Sequence, residues 1–372
     1  MLLRGAVISL GSKTSMMMYD EMTKLFDEVD FLQLRDIEVT LNSKGSEVLY
    51  KGEPIKDYDC VYLMGSFRYS TVLASIAGTL KDKTYIPTHH SAYTIANDKF
   101  LTQLYLQMKG IPMPEAYIVA TAESARKVLN RVSYPIIIKL PKGTHGKGVL
   151  FADSYAAAAS MCDALVVMNQ PFIIQDFVDT GGEDYRAIVA GDMIVGSMKR
   201  VAVKNEQRSN IHAGGSGQAV IMSPKAQRVA LDAAKALGCD ICAVDILENE
   251  RGPTVLELNL SPGLQGITKA TGENIAARIA RELYKRSKSM KIKRQSQDYE
   301  GLKDFIAGKD ILGEEKEKEK KQDAIQEVIG KIDLRAGRLL LPTYVSKLSG
   351  MKGGEDYFFK IRKDKLIIKR SS

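Results

Sequence analysis

Along this 372-residue chain the spacing of apolar and polar positions changes several times, and each change predicts a different element. GAVISLGS (5–12) alternates as a first β-strand does. An amphipathic helix is predicted near Tyr19–Asp30, then a strand in FLQLRDIEV and a buried strand in CVYLMGS. A helix around Tyr69–Leu80 and a strand in TYIP complete a small α/β domain. Gly11 and Gly65 follow strands, where their loops could line a ligand crevice. Neither strand is followed by G-x-G-x-x-G, so a dinucleotide-binding fold has no support.

Near residue 91 the pattern becomes helical. In SAYTIANDKFLTQLYLQMKG, Ile95, Leu101, Leu104, Tyr105 and Met108 fall on one predicted face, and Gly110 and Pro112 stop the helix. Strands and helices then continue to about Arg286. Residues 287–325 are polar and contain EEKEKEKK, a composition that suits a solvated helix or a disordered linker. From 331 to 370 alternating apolar segments and Gly-rich turns return.

Length alone predicts two or three domains of ordinary size. The formal charge is +8, but residues 284–372 carry 23 Lys/Arg against 14 Asp/Glu, so the rest of the chain is near neutral. A basic coat over the whole protein is excluded, while nucleic-acid contact by the tail stays open. No apolar run approaches a membrane span, and MLLRGAVISLGS lacks the features of a signal peptide. Four cysteines make no disulfide framework, which points to the cytoplasm. Cys239 and Cys242 have redox or half-zinc-site spacing, but no second Cys/His pair lies near them in sequence. Buried thiols are the reading preferred.

Two segments carry chemistry. In PIIIKLPKGTHGKGVL a β-branched strand delivers Lys139, and a loop with Gly143, Gly146 and Gly148 follows. Glycines let backbone N–H groups approach phosphate oxygens, and lysine adds a point charge; a plain Gly-rich hairpin with a solvated lysine would look the same. In AVDILENERGPTVLELNLSPG, Asp245 lies on one strand, and Glu257 and Asn259 lie on the next, after a turn at Arg251–Pro253. Glu257 and Asn259 leave one face as i and i+2, with Leu256, Leu258 and Leu260 opposite. Three hard oxygen ligands suit Mg²⁺ bridging nucleotide phosphates; a solvent-facing polar stripe is the alternative.

The segments ANDK (96–99), IIIKLPKGTHGKGV (136–149), QDFV (175–178), EDYRAIVAGDMIVGSMKR (183–200), RSNIHAGGS (208–216), VDIL (244–247) and LELNLSPGLQGITKATG (256–272) together resemble the ATP-grasp superfamily, specifically its RimK-like amino-acid ligases. That resemblance implies an α/β and α+β protein with an N-terminal α/β pre-ATP-grasp domain (1–90) and an ATP-grasp catalytic domain (91–286). A charged linker (287–330) and a small C-terminal β-hairpin domain (331–372) would follow. It implies that Lys99 and Lys139 contact ATP phosphates beneath the loop holding Gly143, Gly146 and Gly148. Asp176 and Phe177 would form the hinge that reads adenine, and Asp184 would hold ribose. Arg208, Ser209 and Asn210 would make a second nucleotide contact, and Asp245, Glu257 and Asn259 would hold Mg²⁺ or Mn²⁺. Arg200 is the candidate for stabilising the transferred phosphoryl group, and Arg186 for binding a substrate carboxylate. QDFV stands where Glu-Tyr is common, so Asp176 keeps the charge on a shorter arm.

The implied activity is ATP-dependent ligation of an amino acid, glutamate foremost, to a carboxylate acceptor that is a protein C-terminus or a coenzyme, by way of an acyl phosphate. The tail, KIDLRAGRLLLPTYVSKLSGMKGGEDYFFKIRKDKLIIKR, is similar to SpoVT/AbrB-like swapped-hairpin domains at Gly337-Arg338, Leu341-Pro342, Gly350-Met351 and Gly354. It departs from them at Leu348 and Ser349. Such domains dimerise and many bind DNA, which implies a homo-oligomer and allows contact with DNA or an acidic acceptor. A DNA-binding regulator with a ligand-sensing body is the rival reading. The intact Asp245, Glu257 and Asn259 set favours catalysis.

Overall fold

A computed structural model describes residues 2–43, 45–119, 121–141, 148–202 and 216–306, together with the tail strands 333–335, 338–340, 357–362 and 365–370. The chain divides into two units, Met1–Gln297 and Asp298–Ser372.

The first unit opens with β1 (Arg4–Ser9), α1 (Lys13–Met22) and β2 (Glu28–Gln33). The antiparallel strands β3 (Ile37–Asn42), β4 (Gly45–Tyr50) and β5 (Glu53–Pro54) follow, then β6 (Cys60–Leu63) and α2 (Ser70–Leu80). β1 lies between β2 and β6 in a three-stranded parallel sheet. The first helix begins earlier than its apolar pattern predicts, because the Ser12 hydroxyl caps it by accepting from the Ser15 N–H. It ends at Met22, so residues up to Asp30 are already turning into strand. FLQLRDIEV is likewise two strands rather than one, broken by a 3₁₀ turn at Leu34–Asp36.

The predicted helix over 91–110 is also divided, into α3 (Ala92–Ile95) and α4 (Lys99–Met108). Asp98 makes the break: its side chain accepts from the Phe100 and Leu101 N–H groups and caps α4. The register therefore turns, and Leu101, Leu104 and Met108 are exposed rather than buried.

β7 (Ala116–Ile118), α5 (Ala122–Leu129), β8 (Ile136–Lys139), β9 (Val149–Ala152), α6 (Tyr155–Val167) and β10 (Ile173–Asp176) come next. The strands form an antiparallel sheet in the order β7-β10-β8-β9. Its inward residues Ile136, Ile138 and Ile174 pack with Ala125 and Leu129 of α5 and Cys162 of α6.

The site itself is built on a larger sheet. β11 (Glu183–Ala190), β12 (Met193–Val201), β13 (Ser216–Ala219), α7 (Pro224–Ala236), β14 (Ile241–Asn249) and β15 (Gly252–Asn259) precede α8 (Gln265–Thr271) and α9 (Ile275–Ile306). The strand order is β13-β12-β11-β14-β15, antiparallel throughout. On one side, Ala226, Ala230 and Ala233 of α7 pack with Val244, Val255 and Leu258. On the other, Ile275, Ile279 and Leu283 of α9 pack with Ile188 and Ile241 and reach Met18 and Met22 of α1. The front parallel sheet and the larger sheet thus share a core.

Cys239 and Cys242 are fully packed within this unit, and burial pushes the Cys242 thiol up to about 12. They are buried apolar neighbours, as the lack of a second Cys/His pair suggests. In the second unit, β16 (Asp333–Arg335) pairs antiparallel with β17 (Arg338–Leu340), and β18 (Tyr357–Arg362) with β19 (Lys365–Arg370). EEKEKEKK and the predicted tail helix lie outside the described residues. Among the described residues, no helix is long and apolar enough to cross a membrane.

Candidate active site

Register across the large sheet brings the predicted residues to one face. Arg186 on β11 stands opposite Asp245 on β14, which stands opposite Glu257 on β15. Asp184 is opposite Arg200 on β12, and Asn259 is two residues beyond Glu257. Side chains directly opposite in an antiparallel pair share a face, so these six form one polar surface.

Its centre is a ladder of ion pairs. Arg186 donates through Nε and Nη2 to the two Asp245 oxygens at 2.8 and 2.7 Å. Arg200 donates through Nε and Nη2 to Asp184 at 2.6 and 2.8 Å, and its Nη2 lies 2.9 Å from Asp245 Oδ2. Asp184, Arg200 and Asp245 are almost wholly buried. Burial by itself would raise the Asp245 carboxyl, but the two guanidinium groups hold it well below the usual carboxylate range. Burial would also lower Arg200, and Asp245 and Asp184 more than reverse that. Both arginines, assigned from the sequence to substrate and to phosphoryl transfer, are thus bound to carboxylates of the sheet. Asp184, expected at ribose, is clamped by Arg200.

A β-bulge lies between the two halves of the β14–β15 hairpin. Asp245 faces Glu257 whereas Ile246 faces Val255, so Leu256 is the extra residue. The burial alternation slips there: Val255, Leu258 and Leu260 are buried, and Leu256 is not. The reading that placed Leu256 on the apolar face with Leu258 and Leu260 is corrected by this slip. Bulges re-aim side chains in this way, and this one keeps Glu257 and Asn259 on the polar face. The Asn259 Nδ2 donates to Glu257 Oε1 at 3.1 Å, which leaves the amide oxygen of Asn259 for another partner.

Opposite this face come the lysines. Lys139 ends β8, and Lys99 opens α4, whose N–H at Lys99 donates to the Pro141 carbonyl at 3.1 Å. Burial lowers both amines; for Lys139 the drop reaches about 8, with Glu257 pulling back and Lys99 adding to it. Gly148 closes the loop that starts after Lys139. Its φ is +78°, a Cβ there would meet Leu140 at 2.9 Å, and its carbonyl accepts from the Leu140 N–H. Only glycine fits. Gly143, Gly146, Arg208, Ser209 and Asn210 lie outside the described residues.

The hinge positions end β10. The Asp176 N–H donates to the Glu115 carbonyl at 2.9 Å, and burial raises the Asp176 carboxyl. The Phe177 ring meets Phe151 of β9 edge to face, with centroids 5.4 Å apart. The hinge therefore touches the hairpin that carries the glycine loop.

A profile of the RimK-like ATP-grasp domain matches residues 96–283, which hold every residue placed above. The chain belongs to the RimK-like ATP-grasp family. It is an enzyme of the ligase type, with ATP and Mg²⁺ as cofactors. The chain is 34% identical to a probable alpha-L-glutamate ligase 2 of Pseudoalteromonas atlantica over 264 residues, which cover 70% of this chain and 88% of that one. It has the same identity and coverage with a probable alpha-L-glutamate ligase of Shewanella loihica. Among solved structures, a RimK domain ATP-grasp protein from Sphaerobacter thermophilus shares the fold at a TM-score of 0.58 and 18% identity, covering 75% of this chain and 98% of that one. The ATP-grasp ligase PsnB, complexed with minimal precursor, Mg and ADP, does so at 0.61 and 18%, covering 77% and 98%.

The donor chemistry of this ATP-grasp site fits Mg²⁺. Glu257 and Asn259 offer oxygens beside Asp245, and Mg²⁺ takes one or two carboxylates with phosphates and water making up the rest. The ion would neutralise phosphate charge there. What sequence reasoning missed is the ladder: four residues given four separate ligand roles are partners of one another. Their strand register could have shown it, since 184 with 200 and 186 with 245 are paired positions.

Proposed function

We propose that the chain joins L-glutamate to a carboxylate acceptor in two steps. An acceptor carboxylate oxygen takes the γ-phosphoryl group of ATP, giving an acyl phosphate and ADP. The glutamate amine then attacks the acyl carbon, the C–N bond forms as phosphate leaves, and the amine gives up a proton. The observation that carries this reading is the meeting of Lys139, short of counter-charge, with the oxygen donors Glu257 and Asn259.

Each group has a task. Lys139 and Lys99 would take the phosphate oxygens, and the segment closed by Gly148 would exclude water from the reactive acyl phosphate. Asp245, Glu257 and Asn259 would hold the metal. Arg186 and Arg200 would orient Asp245, and their remaining N–H donors would face the reacting anions. Asp176 and Phe177 would sit at adenine, with Arg208, Ser209 and Asn210 adding a second nucleotide contact. The glutamate part of the reading is supported by the names of the curated relatives.

Glu257→Ala should lower glutamate-dependent ADP release roughly a hundredfold or more while the urea unfolding midpoint stays in place. Unchanged ADP release would remove Glu257 from the metal set.

The same proposal divides the chain at 90, 286 and 330, and makes 331–372 a swapped-hairpin dimerisation domain. Two antiparallel strand pairs and the Gly337-Arg338 and Leu341-Pro342 steps support it. A chain ending at Gly330 should then sediment as a monomer where the full chain is a dimer; an unchanged number of subunits would end the dimerisation reading. Duplex DNA titrated over a salt series tests the regulator reading, which requires binding by the full chain.

A further inference from the structure

β1 is flanked by β2 on one side and β6 on the other. The loops leaving these strands diverge, and open parallel sheets bind ligands in the crevice that such a switch point leaves at the carboxyl ends. Gly11 and Gly65 sit in two of those loops. The crevice adjoins the proposed metal site: the Gly65 N–H donates to Ser261 Oγ at 3.1 Å, two residues beyond Asn259. The Leu264 N–H donates to Thr14 Oγ1, also at 3.1 Å.

The charges at the two ends of this sheet differ. Lys13 follows β1, Arg35 follows β2 and Arg68 follows β6; all three are exposed, and none has an ion pair among the described residues. The loops 10–13, 33–36 and 64–69 hold one carboxylate, Asp36, against these three cations. At the opposite end the cations are matched. Arg4 pairs with Glu28 at 3.0 Å, Lys56 with Glu28 and Asp30 at 2.8 and 2.9 Å, and Lys291 with Asp59 at 2.8 Å. The unmatched end is the one beside the reacting centre.

We propose that Lys13, Arg35 and Arg68 select an acceptor with anionic groups beyond the carboxylate to be activated, a short acidic peptide chain. This rests on the ligase reading. Activation consumes the charge of one carboxylate, so only further carboxylates can be held through the whole reaction. Exposed cations act over about one Debye length, ~8 Å at physiological salt, and they favour encounter and selectivity more than tight holding.

The test titrates the full chain with tetraglutamate, tetraalanine and Mg·ATP, in parallel with a Lys13→Gln, Arg35→Gln, Arg68→Gln variant and a Lys56→Gln control. Tetraglutamate should bind roughly tenfold tighter than tetraalanine, an advantage that the triple variant and added salt remove. Lys56→Gln should keep it, and Mg·ATP affinity should be the same in all three proteins. Equal binding of the two peptides overturns the proposal. So does an unchanged triple variant, or displacement of tetraglutamate by inorganic phosphate at equal ionic strength. If the wild-type chain binds tetraglutamate as expected but not Mg·ATP, the crevice stands and the ligase reading falls.

Discussion

The two walls of the site handle charge in opposite ways. On the large sheet, Asp184, Arg200, Asp245 and Arg186 neutralise one another in the fold itself, and Asp245, Arg200 and Arg186 are each held more firmly in their charged form. On the smaller sheet, Lys139 is buried without an ion pair among the described residues, and its amine is pushed down to about 8. The first wall is already complete and supplies rigid placement. The second is electrically short, and an anion such as a triphosphate supplies what it lacks. Preorganisation and affinity are thus assigned to different sheets.

The sharpest way to break this contrast is to remove a rung of the ladder. Arg200→Ala leaves two buried carboxylates short of a partner and should cost ~3–5 kcal/mol of unfolding free energy, read from the urea midpoint. A loss below ~1 kcal/mol would show that water replaces the guanidinium and that the wall is not dry. Next in size is Lys139→Met, which should weaken ATP binding about tenfold while leaving stability unchanged or raised, since a lysine lowered by burial costs the fold when charged.

The same lysine makes a pH prediction. It is charged below its value of about 8 and neutral above it, and phosphates bind the charged form. ATP affinity should be full near neutrality and fall about tenfold for each pH unit above that value. Binding near it should take up a proton, seen as buffer-dependent heat in calorimetry, and Lys139→Met should abolish that uptake. The smallest effect is expected at Lys199, which pairs with Glu183 at 2.8 Å with its side chain 28% exposed. Lys199→Ala should cost less than ~1 kcal/mol, although it neighbours Arg200 in sequence.

Much of this site is legible in the order of residues alone. The β14–β15 hairpin follows from Val, Ile and Leu around a turn, and the shared face of Glu257 and Asn259 follows from the period of two. Lys139 at a strand end and the need for glycine at 148 are equally local facts. The ladder is not local. Asp245 meets Arg186 across 59 positions of chain, and a sequence motif shows each residue without its partner. The helices failed for a related reason: apolar spacing in 91–110 runs through Asp98, but a side chain able to cap two N–H groups outweighs that spacing. Lys13, Arg35 and Arg68 are lone surface cations in sequence and become neighbours only once three strand ends are brought side by side.

The bulge at Leu256 has a consequence for how this hairpin tolerates change. The tight tip, where Asn249 faces Gly252, sets one count of residues between the strands, and the pairing of Asp245 with Glu257 requires one more. Leu256 absorbs the difference, so the strand carries a spare link. The tip and the reactive end are geared separately, and a change of length at one need not be transmitted to the other.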